Sequence, residues 1–143
     1  MEVRRLNIGD AEKVIDMLEN FRSEKITGDN AIKFLNDKKN YLVACLNDDK
    51  IVGFILGYEL QRYDNQNNMM YVHEVDVLSE YRRQGIGKKI MYELKQICKR
   101  KNLCKMFLIT RKSNIPAINL YKTTKGKSSN DDDIVFWYES ESF

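Results

Sequence analysis

Residues 69–110 constrain the fold of this chain more tightly than any other segment. "MMYVHEVDV" reads as a strand. It runs through "SEYRRQGIG", a turn with two glycines, into a helix that starts at Gly85 and continues to about Lys101. Along that helix Ile86, Ile90, Met91, Leu94, Ile97 and Cys98 recur with helical spacing, so one face is apolar. "CKMFLIT" is then a further strand. A strand–helix–strand crossover of this kind demands a sheet covered by at least one helix.

The remaining segments decide what kind of sheet it is. "VRRLNI" reads as a first strand and "GDAEKVIDMLENF" as a helix with Asp10 at its N-cap and Val14, Ile15, Leu18 and Phe21 as its apolar stripe. "DNAIKFLNDKKN" gives a second, shorter helix. "YLVACL" and "KIVGFILGYEL" are strands joined by the turn-forming "NDDK", which makes a hairpin. "QRYDNQNN" is a polar loop, "NIPAINLYKTT" a short helix with Asn114 near its cap and Pro116 in its first turn, and "DIVFWYES" a closing strand. The order β-α-α-β-β-β-α-β-α-β mixes hairpins with a crossover. The expected class is α+β, layered around one central mixed, mostly antiparallel sheet flanked by helices. One domain over residues 1–143 is expected.

Several function classes are disfavoured. No apolar run approaches the ~20 residues of a membrane helix, and "MEVRRLNIGD" lacks the apolar core of a signal peptide, so a cytoplasmic protein without a membrane partner is expected. Cys45, Cys98 and Cys104 have no paired spacing and His73 is the one histidine, so neither a disulfide framework nor a metal site is expected. The cysteines are read as small packing residues. A net charge of +3, from 24 basic and 21 acidic residues, is too mild to argue for nucleic acid. The basic residues of "RRQGIGKK" and "KRK" could bind one, but no aromatic stacking face is interleaved with them, and no nucleic-acid partner is expected.

The turn itself can bind an anion. A helix that begins where a strand ends presents unpaired N–H groups and the positive end of its dipole. Gly85 and Gly87 allow close backbone approach, and Arg82, Arg83, Lys88 and Lys89 add full charges. A pyrophosphate suits such a site; a solvated basic helix terminus would look the same. The NTPase loop G-x-x-x-x-G-K-[ST] is absent, and the dinucleotide fingerprint fails because Ile90 stands at its third glycine.

"Arg82-Arg83-Gln84-Gly85-Ile86-Gly87" matches [RQ]-x-x-G-x-[GA], and "Asn114-Ile115-Pro116-Ala117-Ile118-Asn119-Leu120-Tyr121" matches N-x-x-A-x-x-L-Y. On these two motifs and the order of elements, the chain resembles the GNAT superfamily of acyl-CoA N-acyltransferases. The resemblance implies that "YVHEVDV" and "CKMFLIT" splay apart and hold the pantetheine arm of acetyl-CoA, with main-chain groups of Val75 and Val77 bonding it. It implies that the turn from Arg82 through Arg83, Gln84, Gly85, Ile86 and Gly87 to Lys88 holds the pyrophosphate. Asn114 and Ala117, on the second motif, would contact the cofactor, and Tyr121 would face the thioester sulfur.

Acyl transfer to an amine needs a base, because an ammonium has no free lone pair; at a lysine-like pKa only ~1 in 2,500 amines is free at neutral pH. Glu74 is the candidate base, with Asp76 on the same strand face as its neighbour, a substrate contact or the base itself. Strand alternation groups Val72 with these two acids and sends His73 to the opposite face, as a structural residue. A solvated acidic strand face is the plainer reading of the pair. Tyr121 is the candidate acid for the departing thiolate, or else a core aromatic.

"GYELQRYDNQNNMMYVHEVDV" followed by "SEYRRQGIG" further resembles the small aminoglycoside 3-N-acetyltransferases, in which an aspartate occupies the place of Glu74. "KTTKGKSSNDDDIVFWYE" departs from that branch, and the role of segment 125–133 is open. A polycationic acceptor would draw on Glu59, Asp64, Glu74, Asp76 and the acids at 131–133. Another small amine, a protein lysine or N-terminus, and a noncatalytic acetyl-CoA-binding module remain as alternatives. Many relatives are homodimers, and "IVFWY" could serve as an interface or as core.

Overall fold

The computed structural model describes residues 1–128 and 132–143, so Asp131 and part of segment 125–133 lie outside the described residues. The strands are β1 (Glu2–Arg5), β2 (Asn40–Asn47), β3 (Lys50–Leu60), β4 (Met69–Val77) and β5 (Lys105–Leu108). The helices are α1 (Ala11–Arg22), α2 (Gly28–Asn36), α3 (Ile86–Arg100) and α4 (Ile115–Thr123). The sheet runs β1-β2-β3-β4-β5. Its first three pairings are antiparallel and β4–β5 is parallel, as the α3 crossover requires. The result is the expected α+β arrangement around a mixed, mostly antiparallel sheet.

Each sheet face carries its own core. Ile86, Ile90, Met91, Leu94 and Ile97 of α3 pack on Tyr41, Val43, Val52, Ile55 and Met70. Val14 and Met17 of α1 and Ala31 of α2 pack on Leu42, Ala44 and Phe54. Burial of each large apolar side chain contributes on the order of 1.5–3 kcal/mol. A glycine sets how closely α3 approaches. A Cβ on Gly53 would lie 2.6 Å from Ile86 Cγ2, so only glycine lets the first turn of α3 rest on β3.

Three expectations are corrected. "DIVFWYES" forms no strand: residues 134–139 are irregular, without a sheet partner among the described residues, and a short 3₁₀ turn follows at Ser140–Ser142. A strand needs a neighbour, and among the described residues this segment pairs with none. Asp10 stands at the N-cap position of α1, but its carboxylate does not cap that helix. It accepts both guanidinium N–H groups of Arg4, at 2.7 and 2.8 Å, and the Asn7 N–H at 2.9 Å. Cys45 is buried and Cys98 half-buried, but Cys104 is exposed at the start of β5 and is not a packing residue. Among the described residues no helix is long and apolar enough to cross a membrane.

Candidate active site

A β-bulge aims the acidic strand. β4 pairs with β3 through Leu56↔Glu74, and the next pair is Gly57↔Val72, so His73 is an extra residue on β4. The bulge interrupts the alternation that groups Val72 with Glu74. Val72 instead packs in the α3-side core, whereas Glu74 lies on the α1–α2 side beside Leu56. Asp76 shares that side, opposite Phe54. His73 also falls there rather than in a core. It is exposed against the rings of Tyr58 and Tyr71, with the Tyr71 hydroxyl 3.2 Å from its Nδ1.

Glu74 lines a cavity of about 140 Å³ between α1, α2 and the sheet. Val14, Met17, Ile26, Phe34 and Leu56 make most of its wall apolar, and Asn30 adds an amide. The Glu74 carboxylate forms an ion pair with Arg22, the last residue of α1. Sequence reasoning missed Arg22. The contact spans two elements far apart in the chain, and no local spacing marks it.

The other acids are committed elsewhere. Asp76 accepts its neighbour's Val77 N–H at 2.8 Å and lies 3.6 Å from Arg82 Nη2. Glu59 is on the α3 side, away from Glu74. Burial pushes its pKa up, but hydrogen bonds from Tyr41 and Asn68, both at 2.7 Å, and the Lys101 ammonium bring it below the ordinary value. Asp64 sits in the loop after β3, gripped by Arg62 at 2.6 and 2.9 Å, and that hydrogen bonding lowers its pKa to about 2.

On the other side the sheet opens. The β4–β5 ladder ends at Val72↔Leu108, while β4 continues to Val77. The main chain of β4 beyond the bulge therefore has no ladder partner on its β5 side. Of the two valines expected to bond an arm there, Val75 retains that open side. Val77 already has partners: its N–H donates to Asp76 and its carbonyl accepts Arg82 Nε at 2.9 Å.

The turn follows directly. Arg82 is folded back on the end of β4, and its own N–H donates to Ser79 at 3.3 Å, so it is not among the free donors. Arg83 and Gly85 take left-handed φ values of 64° and 79°. The first intrahelical bond runs from Lys89 N–H to the Gly85 carbonyl, at 3.1 Å. That leaves the N–H groups of Ile86, Gly87 and Lys88 without intrahelical partners. A Cβ on Gly85 would meet nothing within 4 Å, so the turn faces open space there. Gly87 has a packing role as well. A Cβ there would lie 3.3 Å from Leu120, so the bare glycine lets α4 rest against the start of α3.

α4 lies on the α3 side. Lys95 Nζ donates to the Thr124 carbonyl at 2.8 Å, tying its end to α3. Asn114 caps it through Oδ1, which accepts the Ala117 N–H at 3.2 Å. Tyr121 packs half-buried against the α3-side core, and burial raises the pKa of its phenol. The sheet's opening thus has Glu74 on one face, and the free end of α3 and Tyr121 on the other.

The family model for the "Acetyltransferase (GNAT) family" matches residues 11–126. An aminoglycoside acetyltransferase from an uncultured soil metagenomic sample, solved in complex with trehalose, is 26% identical, with a TM-score of 0.87 over 96% of this chain and 95% of that one. Its complex with sisomicin aligns at 25% identity and a TM-score of 0.86, with coverage of 96% and 95%. AAC(6')-Iy, solved with the bisubstrate analogue CoA-S-monomethyl-acetylneamine, shares the fold at 13% identity and a TM-score of 0.79, covering 96% of this chain and 97% of that one.

Proposed function

The chain belongs to the GNAT acetyltransferase family, and from that premise we propose that it moves the acetyl group of acetyl-CoA to a primary amine of a small molecule, first among them an aminoglycoside-type amino sugar. The observation that carries this reading is the sheet opening beyond Val72 and Leu108, set directly against the unpaired N–H groups of α3. The residues present fit acetyl-CoA. The open side of β4 at Val75 can take the amides of the pantetheine arm as an added strand. Ile86, Gly87 and Lys88 can donate their N–H groups to the pyrophosphate, with Arg83 and Lys88 supplying charge. Asn114 and Ala117, at the start of α4, flank the arm.

Acetyl-CoA supplies an acyl carbonyl on a thiolate leaving group. Glu74 accepts the proton that the acceptor ammonium must lose before its nitrogen can form the new C–N bond. Tyr121 donates its phenolic proton to the sulfur as the C–S bond breaks. An ordinary phenol already holds its proton at neutral pH, and burial raises the Tyr121 pKa further. Holding both substrates at the opening converts a bimolecular encounter into a positioned one.

The structural neighbour solved with sisomicin supports an amino-sugar acceptor. One observation favours a second acceptor class. The cavity beside Glu74 is mainly apolar, and Arg22 and Arg82 offset the nearby carboxylates, which suits an amine on an alkyl or aryl body. A thiol-release assay with acetyl-CoA over aminoglycosides, including sisomicin, and over alkyl and aryl amines tests both. Release with an aminoglycoside supports the first reading. Silence on all aminoglycosides with turnover of an apolar amine selects the second. Silence throughout, with no thermal shift on adding acetyl-CoA, rejects the proposal.

A further inference from the structure

The Arg22–Glu74 ion pair holds more than the base that acetyl transfer needs. Glu74 is the one ionisable residue in the wall of the α1–α2 cavity, and Arg22 reaches its carboxylate from the end of α1. Both side chains meet solvent, Arg22 at 41% exposure and Glu74 at 24%, so the pair stands at an open edge of the cavity. An acceptor that brings only cations meets a carboxylate already neutralised there. Arg22 engages one Glu74 oxygen through Nη2. A guanidinium has five N–H donors in a planar fork, so it can take a second carboxylate alongside Glu74.

The rest of the wall is apolar and held in place from outside. Met17, Ile26, Phe34, Phe54 and Leu56 line a volume of about 140 Å³. An apolar cavity of about 150 Å³ holds a benzene ring. Phe21 packs edge-to-face on Phe54 at 5.1 Å, and Tyr58 does the same on Phe34 at 6.3 Å. These rings fix the wall, so the space is preformed for an apolar body of that size.

We propose that the acceptor is a free α-amino acid with a ring-sized or branched apolar side chain. This rests on the acetyl-transfer reading of Glu74. The ammonium meets Glu74, the carboxylate meets Arg22, and the side chain fills the cavity. A neutral zwitterion enters a neutral pair, so every charge keeps a partner. A peptide N-terminus lacks the neighbouring carboxylate and leaves Arg22 unused. Proton loss to Glu74 frees the nitrogen lone pair, which forms the C–N bond to the acetyl carbon as the C–S pair leaves on sulfur. Of the three ammonium protons, one stays on the amide, one ends on the coenzyme thiol and one passes to water. The N-acetyl product has lost the cation that Glu74 held, which favours its release.

Thiol release from acetyl-CoA is measured with L-phenylalanine, L-leucine and glycine, with L-phenylalaninamide as the peptide N-terminus, and with phenethylamine and sisomicin. The kcat/KM for L-phenylalanine is expected to exceed those for its amide and for phenethylamine by roughly 10- to 100-fold, the worth of a charge-assisted contact. It should exceed that for glycine by about as much, from burial of the side chain. Arg22→Gln is expected to erase most of the acid-over-amide preference through KM. Lost positioning of Glu74 affects acid and amide alike and cancels in that ratio. Turnover of sisomicin or the amide without turnover of either apolar amino acid overturns the inference and leaves the acetyl-transfer reading standing. So does equal turnover of glycine and L-phenylalanine, or an acid-over-amide preference that Arg22→Gln leaves unchanged. No release with any amine, and no thermal shift on adding acetyl-CoA, overturns both. If Arg22→Gln fails to fold, the preference of the parent protein decides: its absence overturns the inference.

Discussion

The carboxylate of Glu74 is held by the guanidinium of Arg22, so the last residue of α1 fixes the acid that the bulge in β4 turns toward the α1–α2 cavity. The two have different duties. In the proposed reaction Glu74 exchanges the proton and Arg22 orients the carboxylate. Glu74→Gln keeps the shape and removes the base, so turnover is expected to fall by ~100-fold or more. Arg22→Gln leaves the base in place and is expected to cost about 10-fold through lost positioning. Steady-state kinetics on the two variants check the order. Equal losses would remove the distinction between base and orienting group, and a fully active Glu74→Gln would remove Glu74 from the mechanism.

Tyr121 is tested by removing one oxygen. Tyr121→Phe preserves the packing of the ring against the α3-side core, so stability should change by less than about 1 kcal/mol. Loss of the acid is expected to lower kcat by ~10-fold or more with little change in KM for either substrate. A variant with wild-type kcat would make the phenol a core group only.

The element order from β1 through α4, the span of β4 and the cap at Asn114 were legible because local chemistry sets them. Strong period-2 and helical patterns bounded by polar or glycine turns leave little choice. The placement of His73 was not legible. The bulge arises from register against β3, and a single strand does not encode its partner's register. The partners of Glu59 were hidden for a related reason: composition marked it as acidic, but only the sheet register brings it to Tyr41 and Asn68. Arg22 and the seat that Gly53 makes for Ile86 are long-range contacts without a motif. "IVFWY" shows the limit of propensity. The residues favour a strand, but a strand exists only where an edge receives it.

Gly53 and Gly85 position the anion turn by different means, and substitution should separate them. At Gly53 a methyl group would meet Ile86 at 2.6 Å and Val77 at 3.3 Å. Gly53→Ala must push α3 outward and is expected to cost about 1–3 kcal/mol of stability. It should also weaken binding of acetyl-CoA, because the free N–H groups move with Ile86. At Gly85 there is room for a methyl group, but φ is 79°, so Gly85→Ala is expected to cost about 1–2 kcal/mol from the backbone alone. Thermal melts with and without coenzyme A check both. A Gly53→Ala protein with unchanged melting and unchanged ligand shift would show that the contact does not set the position of α3.

Asp10 gives the fold a defined acid limb. Hydrogen bonds from Arg4 lower its pKa below the ordinary 3.8, against an opposing push from burial, and the Asn7 N–H assists. A carboxyl whose folded pKa lies below its unfolded value adds stability that is fully present above the unfolded value. That stability is lost as pH falls through the folded value. The window therefore begins near 3.8 and extends below it. Asp10→Asn removes the charge and is expected to cost about 1–3 kcal/mol at neutral pH, because Arg4 loses a paired acceptor that is itself almost fully buried. As pH falls from 3.8 through the lowered folded value, the parent protein should approach the variant's stability. Urea unfolding of both proteins from neutral pH to about pH 2.5 measures the gap. A gap that stays constant over that range would mean that the Arg4–Asp10 charge pair contributes nothing, and that the cap at Asn7 and the packing of α1 hold this corner of the fold.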